Sequence, residues 1–384
     1  MIQKISISFL LPFFFGVAVV SAQNPASAPK DSTLSLPERS FDVLWQTFED
    51  HYAFFKLRNI DWKGTYQQYR HKLDSTTSDD SLFSILSQMV APFEDDHINI
   101  IIPGKKQFTA EKPSRFLKEF PDEPSRERFW KMVDETLTKK GFKKMKAAGP
   151  EYREKQLFYY THSTDYGYLR FTRCFASTQT ESNPKKDAEL AGHILDSVLS
   201  TFPALKGMII DVRVNIGGND EFAYAVAGRF TNKKLLGHSK QSRNGGYEEF
   251  GPLERWYIEP KGRQWVIPVR LLTNDQTASA GDVFAIIMKA ILRTKIIGEN
   301  TLGIYSDMYG FELPNKWLVS LSNQRYYSAD MVCYEGSGTP VYEEIKNTRQ
   351  DLVRMLDPVL MAAIRTFKEN SGVITKPVKS LRTE

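Results

Sequence analysis

The chain has 384 residues, with 51 Lys and Arg against 46 Asp and Glu, a net charge of +5, and 41% hydrophobic residues. This length allows about two domains with a sizeable core, and the small positive balance, spread without a long single-sign block, implies neither a nucleic-acid nor an anionic-surface partner. The densest basic patch, Lys139, Lys140, Lys143, Lys144 and Lys146, has no interleaved stacking aromatics and reads as a solvated helix face.

In chain order, Met1-Ile2-Gln3-Lys4 precedes an apolar stretch from Ile5 to Val20 that ends in Val20-Ser21-Ala22. Basic start, short apolar run and small residues at its end form a secretory signal over 1–22. Pro12 and Gly16 interrupt the run, which is too short for a spanning helix, so no stable membrane insertion is expected after cleavage. The chain is therefore expected to be exported, to the periplasm or outside the cell. Residues 23–36, rich in Ser, Ala and Pro, read as a disordered leader.

Phe41, Leu44, Trp45, Phe48 and Tyr52 recur at spacings of three and four, as do Leu82, Ile85, Leu86 and Met89 behind Ser78, Asp79 and Asp80. Two amphipathic helices follow, and with them an N-terminal helical domain over 37–104. Its last part, Phe93-Glu94-Asp95-Asp96-His97-Ile98-Asn99-Ile100, opens an alternating, strand-like run. Residues 105–157 are highly charged and read as a helical connector.

From residue 158 to 370 the pattern becomes an α/β core. Tyr168–Phe171, Met208–Val212, Val269–Leu272 and Lys295–Ile297 read as strands, and Leu190–Leu199, Glu221–Phe230 and Val283–Leu292 as helices. Strands alternating with helices imply crossover connections. Residues 371–384 form a C-terminal tail. Cys174 and Cys333 are the two cysteines; export would permit one disulfide, but sequence does not place them within bonding range. Neither has a zinc-like spacing, so neither a metal nor another cofactor is expected.

Three Gly-bearing turns leave the strands of this core. Asp211-Val212-Arg213-Val214-Asn215-Ile216-Gly217-Gly218 brings adjacent glycines to the start of a helix, where backbone amides favour negative charge. Thr273 to Gly281 sets Ser279 among Ala278, Ala280 and Gly281, sterically open at a helix start, although helix capping would also account for a serine there. Gly298-Glu299-Asn300-Thr301-Leu302-Gly303 is the third. A serine nucleophile needs a base. Of the six histidines, His51, His71, His162, His193 and His238 read as surface or packing residues, whereas His97 stands beside three acids placed to raise or orient its basicity, although a surface histidine beside acids would also account for it.

Asp95-Asp96-His97, the 211–218 turn, Thr277-Ala278-Ser279-Ala280-Gly281-Asp282, Gly298–Gly303, Leu313-Pro314-Asn315 and Glu335-Gly336-Ser337-Gly338 occur in the order found in C-terminal processing (tail-specific) peptidases and the tricorn protease core. The chain resembles that family over residues 38–367. The resemblance implies a crotonase-like, Clp-like spiral of β-β-α units and a serine peptidase with Ser279 as nucleophile. In processing peptidases a lysine follows the third turn, and here that place is Ile304, which carries no proton-accepting group. The tricorn-like branch instead uses a histidine and a glutamate, matched by His97 and Glu335. Asp96, where relatives have a hydroxyl residue, competes with Glu335 to orient His97, and Pro340-Val341-Tyr342 departs from the Pro-Asp that usually follows the glutamate.

The resemblance also implies an oxyanion hole made by the amides of Ala280 and of Gly217 or Gly218. No PDZ domain is expected in 105–157, and hence no strict recognition of a substrate C-terminus. The expected partner is a peptide or unfolded protein segment. A non-catalytic ligand- or peptide-binding protein on the same fold, or an esterase-type acyl hydrolase, is the alternative; oligomeric state is not readable.

Overall fold

The structure of the protein is a computed structural model that describes residues 33–369. The expected signal segment 1–22, residues 23–32 of the leader and the tail 371–384 lie outside the described residues. Among the described residues no helix is long and apolar enough to cross a membrane. Two compact units divide the chain: the first takes the residues up to Glu111 together with 243–249 and 307–323, and the second takes the rest.

The elements, in chain order, begin with α1 (Leu36–His51), α2 (Trp62–Arg70), α3 (Asp79–Val90), β1 (Asp95–Ile102) and β2 (Lys106–Ala110) of the first unit. In the second unit follow α4 (Arg115–Glu119), α5 (Glu123–Lys139), β3 (Lys146–Tyr152), β4 (Lys155–His162), β5 (Tyr166–Arg170), α6 (Pro184–Ser200), β6 (Gly207–Asp211), α7 (Asp220–Ala227) and β7 (Leu235–Ser242). After the 243–249 excursion come β8 (Glu254–Ile258), β9 (Val269–Thr273), α8 (Ala280–Lys289) and β10 (Thr294–Gly298). The first unit is completed by β11 (Met308–Glu312) and β12 (Leu318–Ser322), and the second by β13 (Gln324–Ser328), β14 (Glu343–Glu344), α9 (Arg349–Arg354) and α10 (Pro358–Glu369).

In the first unit, α1 starts where Glu38 reaches back to the Ser35 amide (3.0 Å) and hydroxyl (2.6 Å), satisfying donors that a helix start leaves open. Its apolar stripe buries Phe41, Leu44 and Phe48 in an aromatic cluster with Tyr52, Trp62 and Phe93. Ser78 caps α3 by accepting the Ser81 amide. The expected helical region is thus present, and the strand-like run expected around His97 is β1. It is the third strand of an antiparallel sheet ordered β11-β12-β1-β2, whose other half arrives from 308–322.

The connector reading of 105–157 needs correction. Helices α4 and α5 are there, yet the segment opens in β2 and ends in β3, which pairs antiparallel with β4 at the edge of the main sheet. Gly149 and Pro150 inside β3 mask it as a turn in sequence, and such residues are tolerated because an edge strand needs fewer ladder donors. Nor is 158–370 one continuous body, since 243–249 and 307–323 belong to the first unit.

The second unit is built on a seven-stranded sheet ordered β14-β10-β9-β6-β5-β4-β3, parallel from β14 to β5. Every residue of β6 and β9 is buried, as expected for central parallel strands covered on both faces. Alternate side chains serve the two faces. Leu169, Met208, Ile210, Leu271 and Ile296 pack under Ala191, Leu195, Val226, Phe284 and Ile287 of α6, α7 and α8. Their neighbours Tyr168, Ile209, Leu272 and Ile297 pack against Phe129, Met132, Leu360 and Ala363 of α5 and α10. A second sheet, β13-β7-β8, completes this unit.

Candidate active site

Strands β6, β9 and β10 are adjacent and parallel, in register through Asp211↔Leu272 and Thr273↔Gly298. The three glycine-bearing turns therefore leave the same edge of one sheet. Ligand sites of open α/β sheets form at such carboxyl ends.

The turn after β9 carries Ser279 into α8. Ser279 adopts φ 56°, ψ −126°, a region that non-glycine residues rarely occupy and that costs about 1–3 kcal/mol. Surrounding bonds hold it there: its amide meets the Ile304 carbonyl at 3.0 Å and the Asp282 carboxylate at 3.0 Å, and its carbonyl accepts the Val283 amide at 3.0 Å. Ala278, Gly281 and the helix start leave the side chain half-buried. A strained strand-to-helix turn that lifts a serine out of a sheet is the geometry a nucleophile requires.

The turn after β6 lies against it. A Cβ on Gly217 would stand 2.5 Å from Ser279 Cβ and 2.8 Å from the Ala278 carbonyl, and Gly217 has φ +84°, so glycine is needed here for both space and conformation. Asn215 joins the two turns: its carbonyl accepts the Ala278 amide (2.9 Å), its Oδ1 accepts the Gly217 amide (2.8 Å), and its Nδ2 donates to the Phe171 carbonyl (3.0 Å). The three expected oxyanion amides differ in their present partners. The Gly217 amide is committed to Asn215, whereas among the described residues the amides of Gly218 and Ala280 are not so committed.

Below the turn, Arg213 is fully buried and donates to Asp211, to Asn347 (3.0 Å) and to Asp357 (2.8 Å). The two carboxylates hold the guanidinium charged, well above its ordinary range, despite burial. Arg213 thereby ties the end of β6 to the loop before α10. Sequence alone gave no reason to single it out, because its partners other than Asp211 lie 134 residues away or more.

The third turn and the glutamate loop interlock. Gly336 donates its amide to the Gly303 carbonyl (2.7 Å), and Thr339 donates to Thr301 Oγ1 (2.8 Å). Lys112 Nζ donates to the carbonyls of Leu302 and Gly336, both at 2.6 Å, clamping the pair. Glu335 is 3% exposed, and its Oε2 accepts the Tyr305 amide at 3.0 Å. Since Ile304 meets Ser279 and Tyr305 meets Glu335, one stretch of backbone links the serine turn to the glutamate loop. Ile304 is itself buried and packs in the interior.

His97 lies on β1, in the first unit. It is 8% exposed; its amide donates to Asp95 Oδ1 (3.1 Å), and its carbonyl accepts from Ser320 Oγ (2.7 Å). The buried acid of the Asp95-Asp96 pair is Asp95, whose carboxylate also accepts from Tyr52 (3.0 Å) and Ser322 (3.1 Å) and faces Arg58 at 3.9 Å. Asp96 is half-buried, with its carbonyl accepting from Asn99 Nδ2 at 3.2 Å. Cys174 and Cys333 are both free thiols, so the disulfide that export would permit is not formed. Burial pushes the Cys174 thiol up, and its Sγ lies 3.5 Å from Asn215 Oδ1.

Comparison with known proteins matches residues 165–342 to peptidase family S41 and residues 37–91 to the tricorn protease C1 domain. Similar solved structures include a Parabacteroides merdae protein described as a candidate peptidase, 24% identical with a TM-score of 0.71, covering 88% of this chain and 99% of that one. Mature CPAF is 13% identical with a TM-score of 0.59, over 88% and 99%. The photosystem II D1 C-terminal processing protease is 14% identical with a TM-score of 0.51, over 82% and 94%. These likenesses establish the fold.

Proposed function

The chain belongs to the S41 family of serine-type peptidases, and from that premise we propose that it is an exported enzyme cleaving peptides or unfolded segments through an acyl-enzyme on Ser279, with His97 as general base. The observation that carries this reading is the strained Ser279 turn packed on Gly217, with the uncommitted amides of Gly218 and Ala280 at the same turn. Neutral His97 takes the Ser279 Oγ proton as Oγ adds to the scissile carbonyl carbon. The resulting oxyanion is stabilised by the amides of Gly218 and Ala280, each donor of this kind contributing about 3 kcal/mol. Collapse breaks the C–N bond, and the amine leaves with the proton from His97. Water then adds to the ester, His97 again accepting and returning a proton, to release the acid and free Ser279.

Glu335 serves to hold the His97 tautomer, with Asp96 as the competing orienter. Ile304, in place of a lysine, favours a histidine base over a Ser-Lys dyad. Export rests on the signal-like residues 1–22 and is checked by sequencing the mature N-terminus, which should begin at Gln23.

Fluorophosphonate labelling with mass mapping tests the mechanism. Label on Ser279, its loss in Ser279→Ala, and a fall of about a thousandfold in peptide hydrolysis in His97→Ala are expected. Undiminished labelling of Ser279→Ala would overturn the nucleophile, and hydrolysis of esters without any of peptides would overturn the peptidase reading.

A further inference from the structure

Asp282 stands three residues past the nucleophile, inside the first turn of α8, with no exposed surface. An acid at this helix position usually reads as a cap. Here the Ser279 amide makes the capping-box contact, and two further amides go beyond it. Oδ2 accepts the amides of Ser279 (3.0 Å) and Ile304 (3.0 Å), and Oδ1 accepts the amide of Gly303 (2.9 Å). Three backbone donors from two different turns thus converge on one carboxylate. Because the Ser279 amide also meets the Ile304 carbonyl, Asp282, Ser279 and Ile304 close a small ring of hydrogen bonds around the strained residue.

Resting on the reading of Ser279 as nucleophile, we propose that Asp282 is the positioning residue of this turn: its ionised carboxylate, by accepting the Ser279, Gly303 and Ile304 amides together, fixes the backbone from which Ser279 attacks. Ionised, the group is acceptor-only and matches all three donors; protonated, it directs an O–H at a site where amides already point, and one donor loses its partner. An isosteric Asn has the same defect. The bonds to Ile304 and Gly303 also set the residue before Tyr305, whose amide Glu335 accepts, so the same carboxylate fixes the spacing between the serine turn and the glutamate loop.

The energetics argue against a mere cap. An exposed capping acid favours folding when charged. Burial instead pushes the Asp282 carboxyl up to about 7 from an ordinary value near 3.8, the amides, the Thr301 hydroxyl and Lys112 offsetting only part of the desolvation. A raised folded value means that Asp282 contributes stability fully below about pH 3.8, and that this contribution is lost as the pH rises to about 7. The fold therefore resists the charged state that satisfies the turn, the pattern of a group kept for function. The charged and titratable groups facing it are Lys112 from the segment before α4, Tyr305 from the third turn and, beyond Tyr305, Glu335.

The test uses the purified full chain and measures fluorophosphonate inactivation, kcat and KM for a fluorogenic peptide, and melting temperature from pH 5 to 9. For the wild type, two groups must lose protons, Asp282 and His97, so the acid limb should fall about a hundredfold per pH unit where both are protonated, against about tenfold in Asp282→Asn. Asp282→Asn should lower kcat at pH 8 by about a hundredfold with KM changed less than about threefold, since the lost positioning acts on the reacting atom. Its melting temperature relative to wild type should rise from pH 5 to pH 7, and Asp282→Glu should restore part of the acid limb. In Lys112→Met, loss of the facing cation should move the wild-type midpoint to higher pH. Parallel loss of activity and melting temperature at every pH, or kcat of Asp282→Asn within threefold of wild type, would overturn the proposal. If Asp282→Asn does not fold, a one-proton wild-type limb unmoved in Lys112→Met overturns it as well. The nucleophile reading fails separately, through labelling that survives Ser279→Ala.

Discussion

Ser279 and His97 are held by different means. The serine turn is fixed by backbone groups: amides and carbonyls of 215, 217, 278, 279, 283, 303 and 304, gathered by Asn215 and Asp282. The histidine strand is fixed by side chains from distant parts of the chain, with Tyr52, Arg58 and Ser322 converging on Asp95 beside it. A backbone-held site tolerates exchange of side chains other than its two gathering acceptors, here Asn215 and Asp282, but not an added Cβ. One held by side chains fails when a single acceptor is removed.

Gly217→Ala should break the first half of that comparison most severely. The added methyl meets Ser279 Cβ and the Ala278 carbonyl at less than contact distance, at a φ that alanine disfavours. Displacing the nucleophile by as little as about 1 Å costs on the order of a hundredfold, so kcat/KM should fall by that factor or more. Activity within fivefold of wild type would mean that the two turns are not locked together.

The second half is tested by Asp95→Asn. Asp95 is fully buried, and the exchange removes the charge opposite Arg58 and part of the acceptor capacity for Tyr52, Ser322 and the His97 amide. Leaving buried donors without a full acceptor costs about 2–4 kcal/mol. Urea unfolding should show a lower midpoint at unchanged slope, and a loss below about 0.5 kcal/mol would remove Asp95 as the anchor of the strand.

The same contrast explains what the sequence made legible. Met208–Asp211, Val269–Thr273 and the helix from Ala280 announce themselves because buried parallel strands and their helices are contiguous apolar runs, and each glycine turn follows its strand directly. The candidate nucleophile and its glycines could therefore be picked out of short windows. Gly217's engagement with Asn215 could not, since which amide stays open depends on how the turn folds back on itself. Nor could Asp282, which reads as a helix-start acid until Gly303 and Ile304 arrive 21 and 22 residues later. Weakly apolar strands such as Leu235–Ser242 and the Gly-Pro-bearing Lys146–Tyr152 left no clear period. The sheet around His97 stayed hidden for a further reason: its register joins Asn99 to Ser320 across more than half the chain.

The smallest effects expected concern the proposed orienter of His97, for which Glu335 and Asp96 are the rival carboxylates. Side chains of neighbours in extended backbone diverge, which places Asp96 poorly to serve the adjacent His97. Glu335 is 3% exposed and its Oε2 is held by the Tyr305 amide. An orienting carboxylate fixes the tautomer and stabilises the imidazolium formed during acylation. Glu335→Gln keeps the shape and removes the charge, and should lower kcat by about tenfold or more with KM little changed, whereas Asp96→Asn should stay within about threefold of wild type. Steady-state rates with one peptide substrate settle the ranking, because a larger loss in Asp96→Asn would move the orienting role onto the histidine's own strand.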